Sequence, residues 1–132
     1  GASPAAEQVH REPHGACMSE GAIQDAIRLA LADEPGFVCF RNNVGVAKHY
    51  GNRGVVHTKY GLAPGSSDLV GILDGRFIAL EVKTPVGRLR PEQRLWLELV
   101  RSFGGFAAVV RSVDEARAAV AAARAEGFGR TA

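Results

Sequence analysis

The sequence predicts an α/β fold with a mixed central sheet flanked by helices, in the order α-β-β-β-α-β-α, and three observations carry this. Two runs rich in β-branched, aromatic and aliphatic residues, DLVGIL and RFIALEVK, flank Asp74-Gly75, a strong two-residue hairpin signal because a type I′ turn needs positive φ. Segments of helical period lie before and after this hairpin. The chain then passes from a helix into an FAAVVR strand. A strand–helix–strand crossover of this kind makes a parallel pair with a right-handed connection.

Taken in order, residues 1–18 read as a flexible N-terminal tail. The string GASPAAEQVHREPHGAC has no amphipathic period and carries two prolines. Pro13 between His10 and His14 argues against a helical metal pair there. Residues 19–132 read as a single domain. Ser19 is a good N-cap, and Ile23, Ala26, Ile27, Ala30 and Leu31 give a helix to about Ala32, ended by Pro35-Gly36. Phe37 to Arg41 is a short strand. Residues 44–66 form a long Gly-rich connection with room for a small hairpin around Val55-Val56. The central hairpin follows, and Pro85 and Gly87 break the chain after it. Pro91 suits the first turn of the next helix, whose apolar face is expected from Leu95, Trp96, Leu99, Val100 and Phe103. Gly104-Gly105 stops that helix, and Phe106 to Arg111 makes the next strand. Ser112-Val113-Asp114-Glu115 has the form of a capping box and opens an Ala-rich helix to about Glu126.

A chain of 132 residues with 46% hydrophobic content suits one globular domain with a real core. The net charge of +2 does not alone imply a nucleic-acid partner, so the distribution of charge matters more. Cys17 and Cys39 form no CxxC and have no zinc spacing, which suits ordinary thiols in a reducing compartment. No apolar run approaches transmembrane length and no signal-peptide pattern opens the chain, so no membrane association is expected. The expected location is cytoplasmic, in a bacterial or phage-infected cell, or nuclear in a eukaryote.

Chemistry concentrates at the open end of the central hairpin. With Asp74-Gly75 at the turn, Leu73 faces Arg76 and Asp68 falls opposite Glu81. Alternation along the strands puts Asp68, Glu81 and Lys83 on one face. Opposed Cβ atoms lie about 5 Å apart, and like charges there repel. Two carboxylates so close are costly unless one is protonated or a cation lies between them. A divalent metal removes that cost.

The order of elements, with Asp before a hairpin and Glu-x-Lys on its second strand, resembles the PD-(D/E)xK nuclease core, the restriction-endonuclease-like fold. The string GLAPGSSDLVGI…FIALEVKTPVGRLRPEQRLWLELVRSFGGFAAVVRSVDEA is similar to its VRR-NUC branch, the virus-type replication-repair nucleases, over about Ser19 to Val120. Arg90 departs from the pattern, since the family tends to have a small hydroxyl residue as the helix cap before the proline, and arginine caps poorly. The resemblance implies that Asp68 and Glu81 bind Mg²⁺ or Mn²⁺, with the Val82 carbonyl as a third ligand, and that Glu20 joins the metal site directly or through water. It implies that Lys83 orients and helps deprotonate the attacking water or stabilises the transition state. It gives Gln93 the positioning of Lys83 or of the water on the metal.

Between Glu34 and Asp68 no acidic residue occurs over 33 positions, while Arg41, Lys48, Arg53 and Lys59 all fall there, with His49, His57, Tyr50 and Tyr60 among them. Arg88, Arg90 and Arg94 follow the lysine. Positive charge near a metal site suits a phosphate backbone and gives affinity without sequence readout. Arg41, Lys48, Arg53, Lys59, Arg88 and Arg90 are the candidate DNA contacts. The expectation is a metal-dependent DNA endonuclease selective for structure over sequence. The resemblance to small stand-alone members implies a homodimer that cuts four-way (Holliday) junctions, and so a branched-DNA partner. The alternatives are a flap or restriction-like nuclease, or a non-catalytic DNA-binding protein that keeps the fold.

Overall fold

A computed structural model describes residues 18–128. Within them the chain runs α1 (Glu20–Ala30), β1 (Phe37–Arg41), β2 (Gly45–Gly51), β3 (Gly54–Tyr60), β4 (Leu69–Leu73), β5 (Arg76–Val82), α2 (Pro91–Ser102), β6 (Phe106–Val110) and α3 (Val113–Phe128). The tail expected over residues 1–18 lies outside the described residues apart from Met18, and so do Cys17 and the two histidines before it. No helix among the described residues is long and apolar enough to cross a membrane.

Four strands form the main sheet in the order β1-β4-β5-β6. The β4–β5 hairpin has the predicted register, Leu69 facing Leu80 through to Leu73 facing Arg76. Its turn residues Asp74 and Gly75 have φ of 49° and 81°, as a type I′ turn requires. β1 pairs antiparallel with β4, and β6 pairs parallel with β5 through the α2 crossover. The sheet is therefore mixed, as in the restriction-endonuclease-like core expected above. β2 and β3 pair only with each other in a separate two-stranded sheet. The long connection thus holds a full hairpin, with Val55-Val56 on its second strand.

Alternation along the strands divides the core in two. Leu69, Leu73, Ile78, Leu80, Val82 and Val110 face Ile23 and Ile27 of α1, Leu31 at its C-cap, and the small residues Ala116, Ala119 and Ala123 of α3. On the other face, Ala79 and Ala107 pack against Leu97 and Val100 of α2. Arg124 of α3 bridges Asp74 in the hairpin turn (2.8 Å) and Glu34 after α1 (3.1 Å), which ties both corners to the last helix. Cys39 is a half-buried free thiol whose pKa is raised, chiefly by burial and against the pull of Arg28.

Local capping follows the sequence with two adjustments. Ser19 Oγ accepts from Ala22 N–H at 3.1 Å, as an N-cap should. Ser112 Oγ likewise accepts from Glu115 N–H, but the Glu115 carboxylate takes the Arg111 N–H at 3.2 Å instead of that of Ser112. The first helix stops at Ala30, slightly before the expected Ala32.

The apolar face expected on α2 is corrected. Leu97 and Val100 are its core residues, together with buried Gln93, while Leu95, Leu99 and Phe103 are exposed. Turning Gln93 toward the sheet carries positions four and seven residues later inward with it. Leu99 and Phe103 then face away from β5 and β6, the strands that α2 covers.

Gly71 in the middle of β4 lies so close to β1 that a Cβ there would overlap the Val38 carbonyl oxygen. We expect Gly71→Ala to lower stability by about 1–3 kcal/mol, read as a fall of several degrees in Tm by circular dichroism.

Candidate active site

Asp68 immediately precedes β4, where the β1–β4 ladder ends. Its carbonyl accepts from Asn42 N–H at 2.7 Å. Its side-chain Oδ2 accepts from Val82 N–H at 2.9 Å and so takes the place of a missing strand partner at the end of β5. Continuing the observed register puts Glu81 opposite Asp68, close enough for the charge of one carboxyl group to act on the other.

Glu81 is 1% exposed. Its Oε1 accepts from Gln93 Nε2 at 3.0 Å and lies 3.9 Å from Lys83 Nζ. Its Oε2 is buried without a hydrogen-bond partner. Burial pushes the Glu81 carboxyl up to about 8 from a usual 4.5. Within that shift the charge of Asp68 adds to the effect of burial, and Lys83 pulls against both. The Lys83 ammonium is buried between Glu81 and Glu20, the latter 3.8 Å away at the start of α1. Lys83 is held there because its N–H continues the parallel ladder to Val110 O at 3.0 Å.

Gln93 explains how α2 starts without a hydroxyl cap. Arg90 occupies the N-cap position, where it has no side-chain oxygen to offer. Instead the Gln93 Oε1 accepts from the Arg90 N–H at 2.9 Å, while its Nε2 donates to Glu81. Only a side chain that both donates and accepts can close the helix end and clamp the carboxylate together. Gln93 therefore touches Glu81 and not Lys83.

The sequence-predicted residues divide into groups. Asp68, Glu81, Lys83 and Gln93 converge, with Val82 joining through its N–H and Glu20 through Lys83. Arg41 and Arg90 line the cleft beside Asp68, together with Asn42, Tyr60 and Gln24. Lys48 and Lys59 stand on the β2–β3 hairpin and Arg53 at its tip. Arg88 is exposed on the loop before α2.

Several supporting residues escaped the sequence. Asn42 donates to Ser66 Oγ (2.7 Å) and Ser67 O (2.9 Å) and accepts from Leu62 N–H (3.2 Å), which staples the far end of the long connection beside Asp68. Trp96 donates to Ser67 Oγ at 3.2 Å. Arg111 holds the carbonyls of Thr84 and Gly87 at 2.5 and 2.7 Å, fixing the turn after Lys83. Asn42-Asn43 at a strand end was a local turn signal. Nothing in the chain near Arg111 or Trp96 announces partners so distant.

The donor set fits a hard divalent cation. It offers two opposed carboxylates and a buried, unpartnered oxygen on one of them, which is what an oxygen-seeking ion would satisfy. No group of three or more His, Cys, Asp or Glu side chains that could hold a metal occurs among the described residues. The remaining coordination would fall to backbone carbonyl and water, which Mg²⁺-like ions accept.

The raised Glu81 carboxyl sets a pH dependence of stability. Between about 4.5 and about 8 the folded protein holds a proton there that the unfolded chain releases, so the metal-free protein loses stability as pH rises through that window. We expect Tm in chelator to be higher near pH 5 than near pH 9, Glu81→Gln to flatten that slope, and Mn²⁺ to restore Tm at the alkaline end. An unchanged slope in Glu81→Gln would assign the effect elsewhere.

Comparison with protein-family models matches residues 18–114 to the VRR-NUC domain. Comparison with curated proteins gives no match. The matched span runs from the foot of α1 into the start of α3 and includes Asp68, Glu81, Lys83 and Gln93. The chain therefore belongs to the VRR-NUC family, and it is a nuclease domain of the PD-(D/E)xK type.

Proposed function

We propose that the protein is a metal-dependent, structure-selective DNA endonuclease that resolves four-way junctions as a homodimer. The observation that carries this is the buried Glu81, with one oxygen left unpartnered, opposite the half-buried Asp68 and with Lys83 beside it. Asp68 and Glu81 would hold Mg²⁺ or Mn²⁺, with the Val82 carbonyl as a further ligand and Glu20 acting through water. When bound, the ion supplies a lowered water pKa and a polarised phosphate. Lys83 orients the attacking water and offsets the charge that gathers on the phosphate oxygens. Gln93 keeps Glu81 aimed into the site. Arg41 and Arg90 hold the phosphate backbone at the cleft, and Arg88 extends that grip. Hydrolysis is expected to leave a 5′-phosphate, as the family resemblance implies.

A second copy is supported by the sheet face that α2 leaves open. Val38 and Phe40 of β1, Ile72 of β4 and Phe77 of β5 are all exposed there and aligned by the register. No charged side chain interrupts these four. An uncharged face can meet its own image across a two-fold axis without like-charge repulsion. Two subunits present two active sites, as symmetric cleavage of a junction requires.

Incubation with four-way, flap and linear duplex DNA in Mg²⁺ or Mn²⁺ tests the activity. We expect cleavage of the four-way junction and a loss of at least about a hundredfold in Lys83→Ala. Cutting of flaps alone, or of linear duplex at one sequence, would replace this with the corresponding nuclease. A wild type inert on every branched DNA would favour a DNA-binding protein that kept the fold. Sedimentation tests the dimer: wild type is expected at twice the monomer mass and Phe40→Glu as a monomer.

A further inference from the structure

The β2–β3 hairpin is unlike the rest of the molecule. Every residue of β3 is exposed, and β2 has only two half-buried positions, Gly45 and Ala47. Its strands pair with no other strand. A lone two-stranded hairpin is marginal in water, so an arm of this kind is a candidate for a partner. With seven residues in each strand, it reaches roughly 20 Å.

Its two faces differ in charge. The register places Val46 opposite Lys59, Lys48 opposite His57 and Tyr50 opposite Val55. Side chains of directly paired residues share a face, so Lys48, Lys59, His57 and Tyr50 stand together. The opposite face has Ala47, Thr58, His49, Val56 and Tyr60, with one histidine and no lysine. Arg53 occupies the turn. Residues 45–60 contain no Asp or Glu, and among the described residues Lys48, Arg53 and Lys59 form no ion pair with a carboxylate. Two lysines across one narrow ribbon repel unless something negative lies against them. A second copy of the same arm would worsen the repulsion, whereas a phosphate backbone removes it. Near the distal end, between Lys48 on its strand and Arg53 in the turn, stands Tyr50, which is 80% exposed. A solvent-facing ring beside cations is the arrangement that stacks an unpaired base.

The arm is also positioned relative to the cleft. Asn42 ties Leu62, Ser66 and Ser67 together next to Asp68, and Tyr60 at the foot of β3 lines the cleft beside Arg41.

We propose that the β2–β3 hairpin is a DNA-gripping arm: its Lys48, Lys59 and His57 face runs along a phosphate backbone, and Tyr50 stacks on an unpaired base at the branch point. The proposal rests on the nuclease assignment above and adds to it the element that separates branched from unbranched DNA.

The test is binding of fluorescent four-way junction and linear duplex to the full chain, with Ca²⁺ in place of Mg²⁺, across a salt series. We expect Lys48→Ala/Lys59→Ala to reduce the slope of log K against log salt by about two on both DNAs. Tyr50→Ala is expected to weaken junction binding about tenfold and leave duplex binding unchanged. Because the arm is not packed into the core, all variants should melt like wild type; Lys48→Gln/Lys59→Gln replaces the alanine pair if that one does not. Wild type that binds junction tightly, beside lysine variants with unchanged slope, overturns the arm and leaves the nuclease assignment standing. An equal loss on both DNAs in Tyr50→Ala overturns the stacking role. A wild type that binds no DNA overturns both assignments.

Discussion

Asp68 and Glu81 meet across the open end of the β4–β5 hairpin, and holding two acidic groups so close, at the cost of a proton kept on Glu81 or a cation bound between them, is the constraint on which the site depends. Neither can retreat. Asp68 is fixed by the hydrogen bond from Val82 N–H and by its own place at the end of the β1–β4 ladder. Glu81 is enclosed in the sheet, with one oxygen clamped by Gln93. Such an arrangement costs stability in the absence of a cation, and it is tolerated because the hairpin beneath it is strongly specified by its turn and its apolar pairs.

The supporting contacts come from parts of the chain far apart in sequence. α2 is turned so that Gln93 points into the sheet, and this choice leaves Leu99 and Phe103 on the surface. The same rotation puts Trp96 within reach of Ser67, at the foot of the strand that carries the first carboxylate. Arg111, just after the parallel neighbour β6, holds the loop that follows Lys83. The parallel crossover therefore brings a second strand end to the site and anchors the lysine through Val110. The chemistry depends on this convergence of strand ends, where side chains from several elements meet without any one of them having to bend.

Outside the site the surface separates into two kinds. The open half of the sheet is apolar and uncharged; the projecting hairpin is cationic with an exposed tyrosine. Surfaces of the first kind suit another protein surface, and those of the second suit a polyanion. They lie on different elements, so one molecule can present both at once.

Much of this was legible in the chain. The Asp74-Gly75 turn set the register, and the register placed Asp68 opposite Glu81, because turn chemistry and strand alternation are local rules. Ser19, Pro91 and Ser112 marked the helix starts for the same reason. The apolar face of α2 is legible only in part: Trp96 and Val100 pack as expected while Leu95, Leu99 and Phe103 are exposed, since the residues offer two plausible stripes and only the partner, here Glu81 accepting from Gln93, selects between them. Asn42, Trp96 and Arg111 were silent, because their partners lie far along the chain and nothing beside them signals the contact. The amino-acid sequence by itself determined the order of elements, the hairpin register and the meeting of two carboxylates with a lysine. Only the tertiary structure decided which side of α2 is buried, that one Glu81 oxygen is left without a donor, and that the long connection stands clear of the core, since each depends on packing between elements whose separation in the chain leaves no local trace.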